Sequence, residues 1–182
     1  MEHINAFVVP IWKISVKNWN EKKKLLLDLP DWGEESSNSH GFFSDYYLAK
    51  DAFMQKKQWY NKNFIEILED DLKQFVENLN IANLDIGFVW AQKYQKREGM
   101  GVHTHGGSGI SAVLYAEFDE NEHHATQFIS PFHDAISNSV LFYEPKVKEG
   151  DIVLFPSFLL HHASQSASDV SRTIFSFNAE IR

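Results

Sequence analysis

The chain has 182 residues, of which 43% are hydrophobic and 14% aromatic, so it can close one sizeable core and gives no sign of a second domain. Its formal net charge of −8 argues against a surface built for a phosphate backbone or an anionic membrane, because such a surface needs dense positive charge. The absence of cysteine excludes disulfides, thiolate metal ligands and cysteine nucleophiles, so a metal would need nitrogen and oxygen ligands.

These features set expectations for the whole chain. We expect residues 1–182 to form one domain. No apolar run reaches the roughly 20 residues that span a bilayer, and the first residues lack a basic region ahead of a hydrophobic segment. We therefore expect a soluble, cytoplasmic protein that binds neither membranes nor nucleic acids.

The first half of the chain predicts one strand and two helices. Residues 7–16 are rich in β-branched and aromatic side chains and predict a strand. Residues 18–28 predict a short helix, and residues 30–40 have the polar composition of a surface loop, with a flexible lid as the alternative. Residues 61–80 predict the clearest helix, because apolar side chains recur at helical spacing and acidic side chains fill the other face.

The second half of the chain predicts strands. Short apolar stretches separated by turn residues replace the helical period, and they cover residues 86–94, 109–118, 126–129, 139–143, 150–155 and 172–178. These strands need a cover on one sheet face, which the helices of the first half can supply. The pattern therefore predicts a mainly β fold with flanking helices, either a sandwich or a barrel.

His103 and His105 are the first candidate metal ligands. Two imidazoles two residues apart on an extended strand project from the same side, so one cation could bind both. The surrounding glycines allow a ligand to approach the backbone closely, and they are Gly99, Gly101, Gly106, Gly107 and Gly109. The alternative is that these two histidines lie at the end of a strand and bind no metal.

A second histidine pair, His161 and His162, follows the hydrophobic strand of residues 150–155. As neighbours these two side chains point in different directions, so we expect only one of them to bind metal. Three neutral imidazoles can hold Zn²⁺ with one open position or Fe²⁺ with three open positions. The ligands alone do not choose between these metals.

Arg172 begins the last predicted strand and shares one face with Ile174, Ser176 and Asn178. A guanidinium on this face offers a bidentate fork for a carboxylate, which a simple zinc hydrolase would not require. A surface ion pair is the alternative for Arg172.

The remaining histidines lie in polar or terminal stretches, and we expect them to be incidental surface residues. They are His3, His40, His123, His124 and His133.

Four short motifs carry a resemblance to a known family. They are His103-Thr104-His105, residues 111–115 (Ser-Ala-Val-Leu-Tyr), residues 150–157 (Gly-Asp-Ile-Val-Leu-Phe-Pro-Ser) and residues 172–178 (Arg-Thr-Ile-Phe-Ser-Phe-Asn). In this order they resemble a small family of 2-oxoglutarate/iron(II)-dependent oxygenases from bacteria and phages. The strand around residues 10–12, the helix before Asn80 and Trp90 also look like that family, so the resemblance covers nearly the whole chain.

The resemblance implies a double-stranded β-helix, which is a jelly-roll of the cupin-like type, with iron(II) near its open end. The implied metal ligands are His103, His105 and His161. It further implies that 2-oxoglutarate chelates the iron through its keto-acid end while Arg172 pairs with the distal carboxylate. Further candidate contacts to this cosubstrate are Tyr94, Ser111, Tyr115 and Asn178.

One position departs from the wider superfamily, where the second ligand is usually a carboxylate and this chain has His105. Three neutral ligands leave the charge of Fe²⁺ uncompensated until an anionic cosubstrate arrives. We therefore predict that the metal is retained more weakly without 2-oxoglutarate.

The resemblance implies a dioxygenase that hydroxylates an unknown, small-molecule or other, substrate with release of succinate and CO₂. Two alternatives use the same residues: a cupin-like three-histidine metalloenzyme that does not use 2-oxoglutarate, and a non-enzymatic jelly-roll binding module. Exposed edge strands would also favour a homodimer.

Overall fold

The computed structural model describes residues 7–33 and 42–182. Within these residues it contains three helices, α1 (Trp19–Leu27), α2 (Tyr46–Met54) and α3 (Asn61–Leu79). The strands are β1 (Trp12–Ser15), β2 (Phe43–Ser44), β3 (Leu84–Tyr94), β4 (Met100–His103), β5 (Ile110–Glu117), β6 (Thr126–Asp134), β7 (Ser139–Tyr143), β8 (Asp151–Pro156), β9 (His161–Ala163) and β10 (Arg172–Ile181). No helix of the described residues is long and apolar enough to cross a membrane.

The strands form two antiparallel sheets. The larger sheet has six strands in the order β1-β8-β5-β10-β3-β2, and the smaller sheet has four in the order β4-β9-β6-β7. Consecutive strands therefore alternate between the sheets along much of the second half of the chain. The mainly β architecture with flanking helices is as predicted.

The central strands of the six-stranded sheet are buried on both faces, which explains why their sequences are nearly continuous apolar runs. On β10, Phe175 and Phe177 pack in the same hydrophobic cluster as the helix residues Phe64 and Leu68. Ile174, on the opposite face of β10, belongs to the cluster that lies between the two sheets. The helices thus cover one face of this sheet, and the other face is free to form an internal cavity.

Several predicted elements change in detail. The helix α2 was not predicted, and β4 ends at His103, so the expectation that His105 also lies on that strand is wrong. His161 begins a separate short strand, β9, which was not predicted. Of the predicted loop or lid at 30–40, residues 34–40 lie outside the described residues, and so do His3 and His40.

Candidate metal and cosubstrate site

Strand pairing brings the two histidine motifs together. His103, the last residue of β4, is the register partner of His161, the first residue of β9. His105 follows two residues after the end of β4, and its backbone N–H donates a 2.9 Å hydrogen bond to the carbonyl of Ser157, just beyond β8. The three histidines therefore meet at one end of the space between the sheets.

The three imidazoles form a compact cluster. One ring nitrogen from each of His103, His105 and His161 lies within 4.8 Å of the others, and this is the one such group of metal-ligand side chains among the described residues. The ring centroids are 4.3 Å apart for His103 and His161, 5.0 Å for His105 and His161, and 5.2 Å for His103 and His105. His161 is buried, whereas the other two are half-buried.

The Nδ1 atom of each imidazole is hydrogen-bonded to a carbonyl oxygen. His103 Nδ1 lies 2.8 Å from the carbonyl of Gly101, and His161 Nδ1 lies 2.8 Å from that of Leu159. His105 Nδ1 lies 2.7 Å from the side-chain oxygen of Asn178. Because a carbonyl oxygen only accepts, each Nδ1 carries the proton and each Nε2 keeps a lone pair.

Burial keeps these imidazoles uncharged. It lowers the pKa of His103 and His105, although the hydrogen bonds to Gly101 and Asn178 oppose this effect. For His161 burial lowers the pKa to about 3. All three side chains are therefore in the neutral form that metal ligation requires.

The nitrogen positions fit a divalent cation. The Nε2 atoms of His103 and His105 are 3.2 Å apart, and with the protons on Nδ1 two lone pairs face each other there. Two nitrogen ligands at about 2.1 Å from one metal at a right angle are separated by about 3 Å. A cation between them would convert this repulsive contact into two ligand bonds.

His162 differs from its neighbour. Its side chain lines the same cavity as His161 but lies outside the three-histidine cluster. The geometry thus favours His161 over His162 as the third ligand.

Arg172 is buried, with 2% of its surface exposed, and it does not line the cavity itself but lies behind Tyr94, which does. Its guanidinium packs 4.7 Å from the ring centre of Tyr94. Nη1 donates to the carbonyl of His124 at 2.5 Å and Nη2 to that of Ser164 at 3.3 Å. Both terminal nitrogens therefore already have main-chain acceptors, in contrast to the bidentate fork for a carboxylate that the sequence predicted. The alternative of a surface ion pair is wrong, because the side chain is buried.

The guanidinium lacks part of its expected bonding. Its Nε atom is buried without a hydrogen-bond partner, and no carboxylate of the described residues forms an ion pair with it. Burial lowers the pKa of Arg172, opposed by Tyr94, Tyr115 and Glu144, yet an arginine stays charged in a protein. A buried cation with an unsatisfied donor fits an anionic ligand.

The other predicted cosubstrate contacts fall into two groups. Tyr94 and Asn178 line the cavity. Ser111 and Tyr115 do not; both are buried behind its wall. Ser111 donates to the side-chain oxygen of Asn178, and Tyr115 donates to the hydroxyl of Thr126, so each reaches the cavity only through a neighbour.

The cavity between the histidines and Tyr94 has a volume of about 330 Å³. Sequence reasoning missed several of its lining residues, namely Tyr46, Tyr47, Gln92 and Thr126. Two of them come from the unpredicted helix α2, and the others required the register of neighbouring strands. No acidic side chain lines this cavity in the described part of the chain.

The described histidines outside the cluster are structural or exposed. His123 is buried, contrary to the surface position expected for it, because its ring bonds to the backbone of Asp119 and Val170. His124 is exposed beside Glu144, and His133 is exposed on β6.

Comparisons with known proteins address the fold and the family. Residues 88–178, half of the chain, match a family model described as "Putative 2OG-Fe(II) oxygenase". This segment contains the three clustered histidines and Arg172. A comparison with curated protein sequences gives no match.

Several solved structures are similar to the whole chain. The collagen prolyl hydroxylase of Paramecium Bursaria Chlorella virus-1, in complex with 2-oxoglutarate, is 13% identical, with a TM-score of 0.59 over 93% of this chain and 94% of that one. The α-ketoglutarate-dependent carbocyclase SnoK of nogalamycin biosynthesis is 12% identical, with a TM-score of 0.62 over 94% of this chain and 79% of that one. HygX of Streptomyces hygroscopicus, with nickel, 2-oxoglutarate and hygromycin B bound, is 14% identical, with a TM-score of 0.58 over 94% and 83%.

At these identities the similarity concerns the fold, and it confirms the predicted double-stranded β-helix. The family match carries the assignment of activity, and the three-histidine cluster fits the iron that this activity requires. The chain therefore belongs to the 2OG-Fe(II) oxygenase family, whose cofactor is iron(II) and whose cosubstrate is 2-oxoglutarate.

Proposed function

We propose that this oxygenase hydroxylates a small molecule, or a small exposed group of a larger one, at a site held by His103, His105 and His161. The balanced reaction converts a substrate C–H bond, O₂ and 2-oxoglutarate into the alcohol, succinate and CO₂. The observation that carries the proposal is the convergence of three Nε2 lone pairs whose Nδ1 protons are all engaged by carbonyl oxygens.

When bound, iron(II) supplies the O₂ chemistry that couples decarboxylation of the cosubstrate to oxidation of the C–H bond. The chain contributes three neutral ligands, so it compensates none of the metal's charge. The dianionic cosubstrate supplies that compensation. We therefore expect 2-oxoglutarate to increase iron affinity, as the sequence also predicts.

Arg172 is the proposed partner of the distal carboxylate of 2-oxoglutarate. The guanidinium lies behind the cavity wall at Tyr94, and its buried charge and its unpaired Nε favour an anion at that part of the cavity. Thr126 lines the cavity, and its hydroxyl accepts from Tyr115, so its own proton is available to a ligand. Tyr94 supports the guanidinium through its ring face.

The outer part of the cavity is the proposed substrate site. Tyr46, Tyr47 and Trp90 line it, and the rings of Tyr46 and Trp90 meet edge to face at 5.2 Å. These aromatic walls exclude water and offer no charge of their own. An uncharged reacting group therefore fits this wall better than an ionic one.

The test is substrate-free turnover by protein reconstituted anaerobically with Fe(II) and then given 2-oxoglutarate and O₂. Succinate release that requires iron and is abolished in Arg172→Ala supports the oxygenase proposal. Metal binding without any binding of 2-oxoglutarate would instead favour the cupin-like metalloenzyme. Protein that binds neither would favour a non-enzymatic binding module.

A further inference from the structure

The three clustered histidines are oriented by two different kinds of partner. His103 and His161 each bond to the main-chain carbonyl of the residue two positions earlier. His105 instead bonds to the side chain of Asn178, which is 73 residues away in the chain. Among these three, only His105 therefore has an Nδ1 hydrogen bond to another side chain.

Asn178 is itself held in place by buried serines. Its Oδ1 accepts from His105 Nδ1 at 2.7 Å and from the Ser111 hydroxyl at 2.9 Å. The Ser111 hydroxyl lies 2.8 Å from that of Ser157. Because Ser111 gives its proton to Asn178, Ser157 must donate to Ser111, and the whole chain of bonds has one direction.

Ser157 also fixes the backbone of His105. The carbonyl of Ser157 accepts the N–H of His105, while its hydroxyl supports Ser111. Ser111 and Ser157 are both fully or almost fully buried, at 0% and 2% exposure. The register of β10 and β5 places Asn178 directly opposite Ser111, so the network is part of the sheet.

From this network we infer that Asn178 is a positioning residue for His105 rather than a cosubstrate contact. It holds the proton on Nδ1 and aims Nε2 at the metal position. The inference rests on the proposed metal site and adds to it the residue on which its second ligand depends. Outer partners of this kind typically change metal affinity by roughly 10–100-fold.

The variants Asn178→Ala and Asn178→Asp test the inference, with Ser176→Ala as the matched control. Ser176 lies on the same face of β10 and lines the same cavity, but its hydroxyl bonds to Gln92 and forms no hydrogen bond with the three histidines. Asp at position 178 can accept both hydrogen bonds that Asn178 accepts, and it adds a negative charge near the metal position.

The first measurement is Co(II) affinity by calorimetry in the absence of 2-oxoglutarate. We expect Asn178→Ala to weaken Co(II) binding by roughly 10–100-fold, Asn178→Asp to restore or exceed the wild-type affinity, and Ser176→Ala to match the wild type. The second measurement is the proton NMR spectrum of the Co(II) protein, in which imidazole N–H protons give shifted, exchangeable signals. Asn178→Ala should lose the signal of His105 and keep those of His103 and His161.

Unchanged Co(II) affinity in Asn178→Ala, or a change in 2-oxoglutarate affinity alone, overturns the role of Asn178. If Asn178→Ala does not fold, Asn178→Asp decides the question, because a weaker Co(II) affinity in that variant also overturns it. Wild-type protein that binds Co(II) but forms no succinate would refute the proposed oxygenase reaction and leave the role of Asn178 standing. Wild-type protein that binds no Co(II) refutes both.

Discussion

At one end of the site three histidines are kept neutral, and at the other end Arg172 is buried as a cation behind the cavity-lining Tyr94. Burial is the largest influence on the pKa at both ends. An imidazole responds to it by remaining unprotonated, which prepares it as a ligand. A guanidinium cannot respond in this way, and so it retains a charge that lacks a carboxylate partner among the described residues.

This difference means that the two ends depend on their ligands in different ways. The histidine end is fully hydrogen-bonded on its Nδ1 side before any metal arrives. The arginine end has an unsatisfied Nε that a carboxylate would complete. We expect metal binding at the first end to suffer most when a ligand side chain is removed, and the second end to show its role through binding of the cosubstrate.

The largest expected effect comes from removing a metal ligand. His161→Ala should weaken Fe(II) binding by more than the roughly 100-fold that the loss of an outer partner costs. His162→Ala is the matched control, since His162 lines the same cavity outside the cluster and should bind Fe(II) like the wild type. Anaerobic calorimetry measures both. Equal losses in the two variants would contradict the assignment of His161.

Replacement of Arg172 should affect binding of the cosubstrate without affecting binding of the metal. Arg172→Ala should leave Fe(II) affinity in the absence of cosubstrate near the wild-type value and lower 2-oxoglutarate affinity by about 100-fold. A cosubstrate present at 100 times its Kd stabilises a folded protein by about 2.7 kcal/mol, so unfolding with and without 2-oxoglutarate reports the loss.

Arg172→Lys tests whether charge alone is sufficient at this end. Lysine keeps the positive charge but cannot reproduce the planar arrangement of donors to His124 and Ser164. We expect only partial recovery of 2-oxoglutarate binding. Full recovery would show that charge and not geometry selects the cosubstrate, and an equal loss of Fe(II) affinity in either variant would contradict the separation of the two ends.

The sequence predicted the parts of this molecule that depend on local pattern. The apolar runs marked the strands β5, β8 and β10, because their buried faces tolerate few polar residues. Helical spacing marked α3 almost to the residue. Spacing marked His103 and His105 as candidate metal ligands and the resemblance added His161, and strand pairing explains why two of them meet, since β4 and β9 pair with His103 opposite His161.

The parts that sequence could not predict depend on contacts between distant residues. The helix α2 has no side-chain hydrogen bond at its N-cap and rests on tertiary contacts such as that between Tyr46 and Trp90. Asn178 was predicted to contact the cosubstrate. Its hydrogen bond to His105 joins residues 73 positions apart, so no local sequence pattern could predict it. In the same way, the carbonyls that accept hydrogen bonds from Arg172 belong to His124 and Ser164. No local sequence pattern predicts that these residues lie beside Arg172.

A smaller effect concerns the dependence of stability on pH. Asp45 precedes α2 and accepts hydrogen bonds from Tyr60 and the N–H of Ala91, yet burial raises its pKa from 3.8 to about 6. The folded protein therefore keeps a proton that the unfolded chain releases. The contribution of Asp45 to the free energy of unfolding should therefore fall by up to about 3 kcal/mol as the pH rises from about 4 to about 6.

Asp45→Asn isolates this contribution. The lowered pKa of the clustered histidines acts with the opposite sign, since the unfolded chain binds the extra protons there and stability rises with pH. Urea unfolding of metal-free wild type and variant at about pH 4.5 and pH 7 gives the difference. The variant should gain stability relative to the wild type at the higher pH, and a pH-independent difference would rule out titration of Asp45 in this range.

The smallest expected effect tests the hydroxyl of Thr126 beside the arginine end. Tyr115 donates to this hydroxyl and accepts the N–H of Thr126, so the Thr126 proton is left for a ligand in the cavity. Thr126→Val keeps the shape and should lower 2-oxoglutarate affinity about tenfold, or roughly 1.4 kcal/mol, the loss of one hydrogen bond to a charged group. Fe(II) affinity should not change.

Tyr115→Phe is the control, because it removes the partner behind Thr126 without removing the hydroxyl that faces the cavity. This variant should lose stability but bind 2-oxoglutarate nearly as well as the wild type, as measured by calorimetry on the Fe(II) protein without O₂. If Thr126→Val binds the cosubstrate like the wild type, the hydroxyl serves only Tyr115. Recognition at this end would then rest on the buried guanidinium alone.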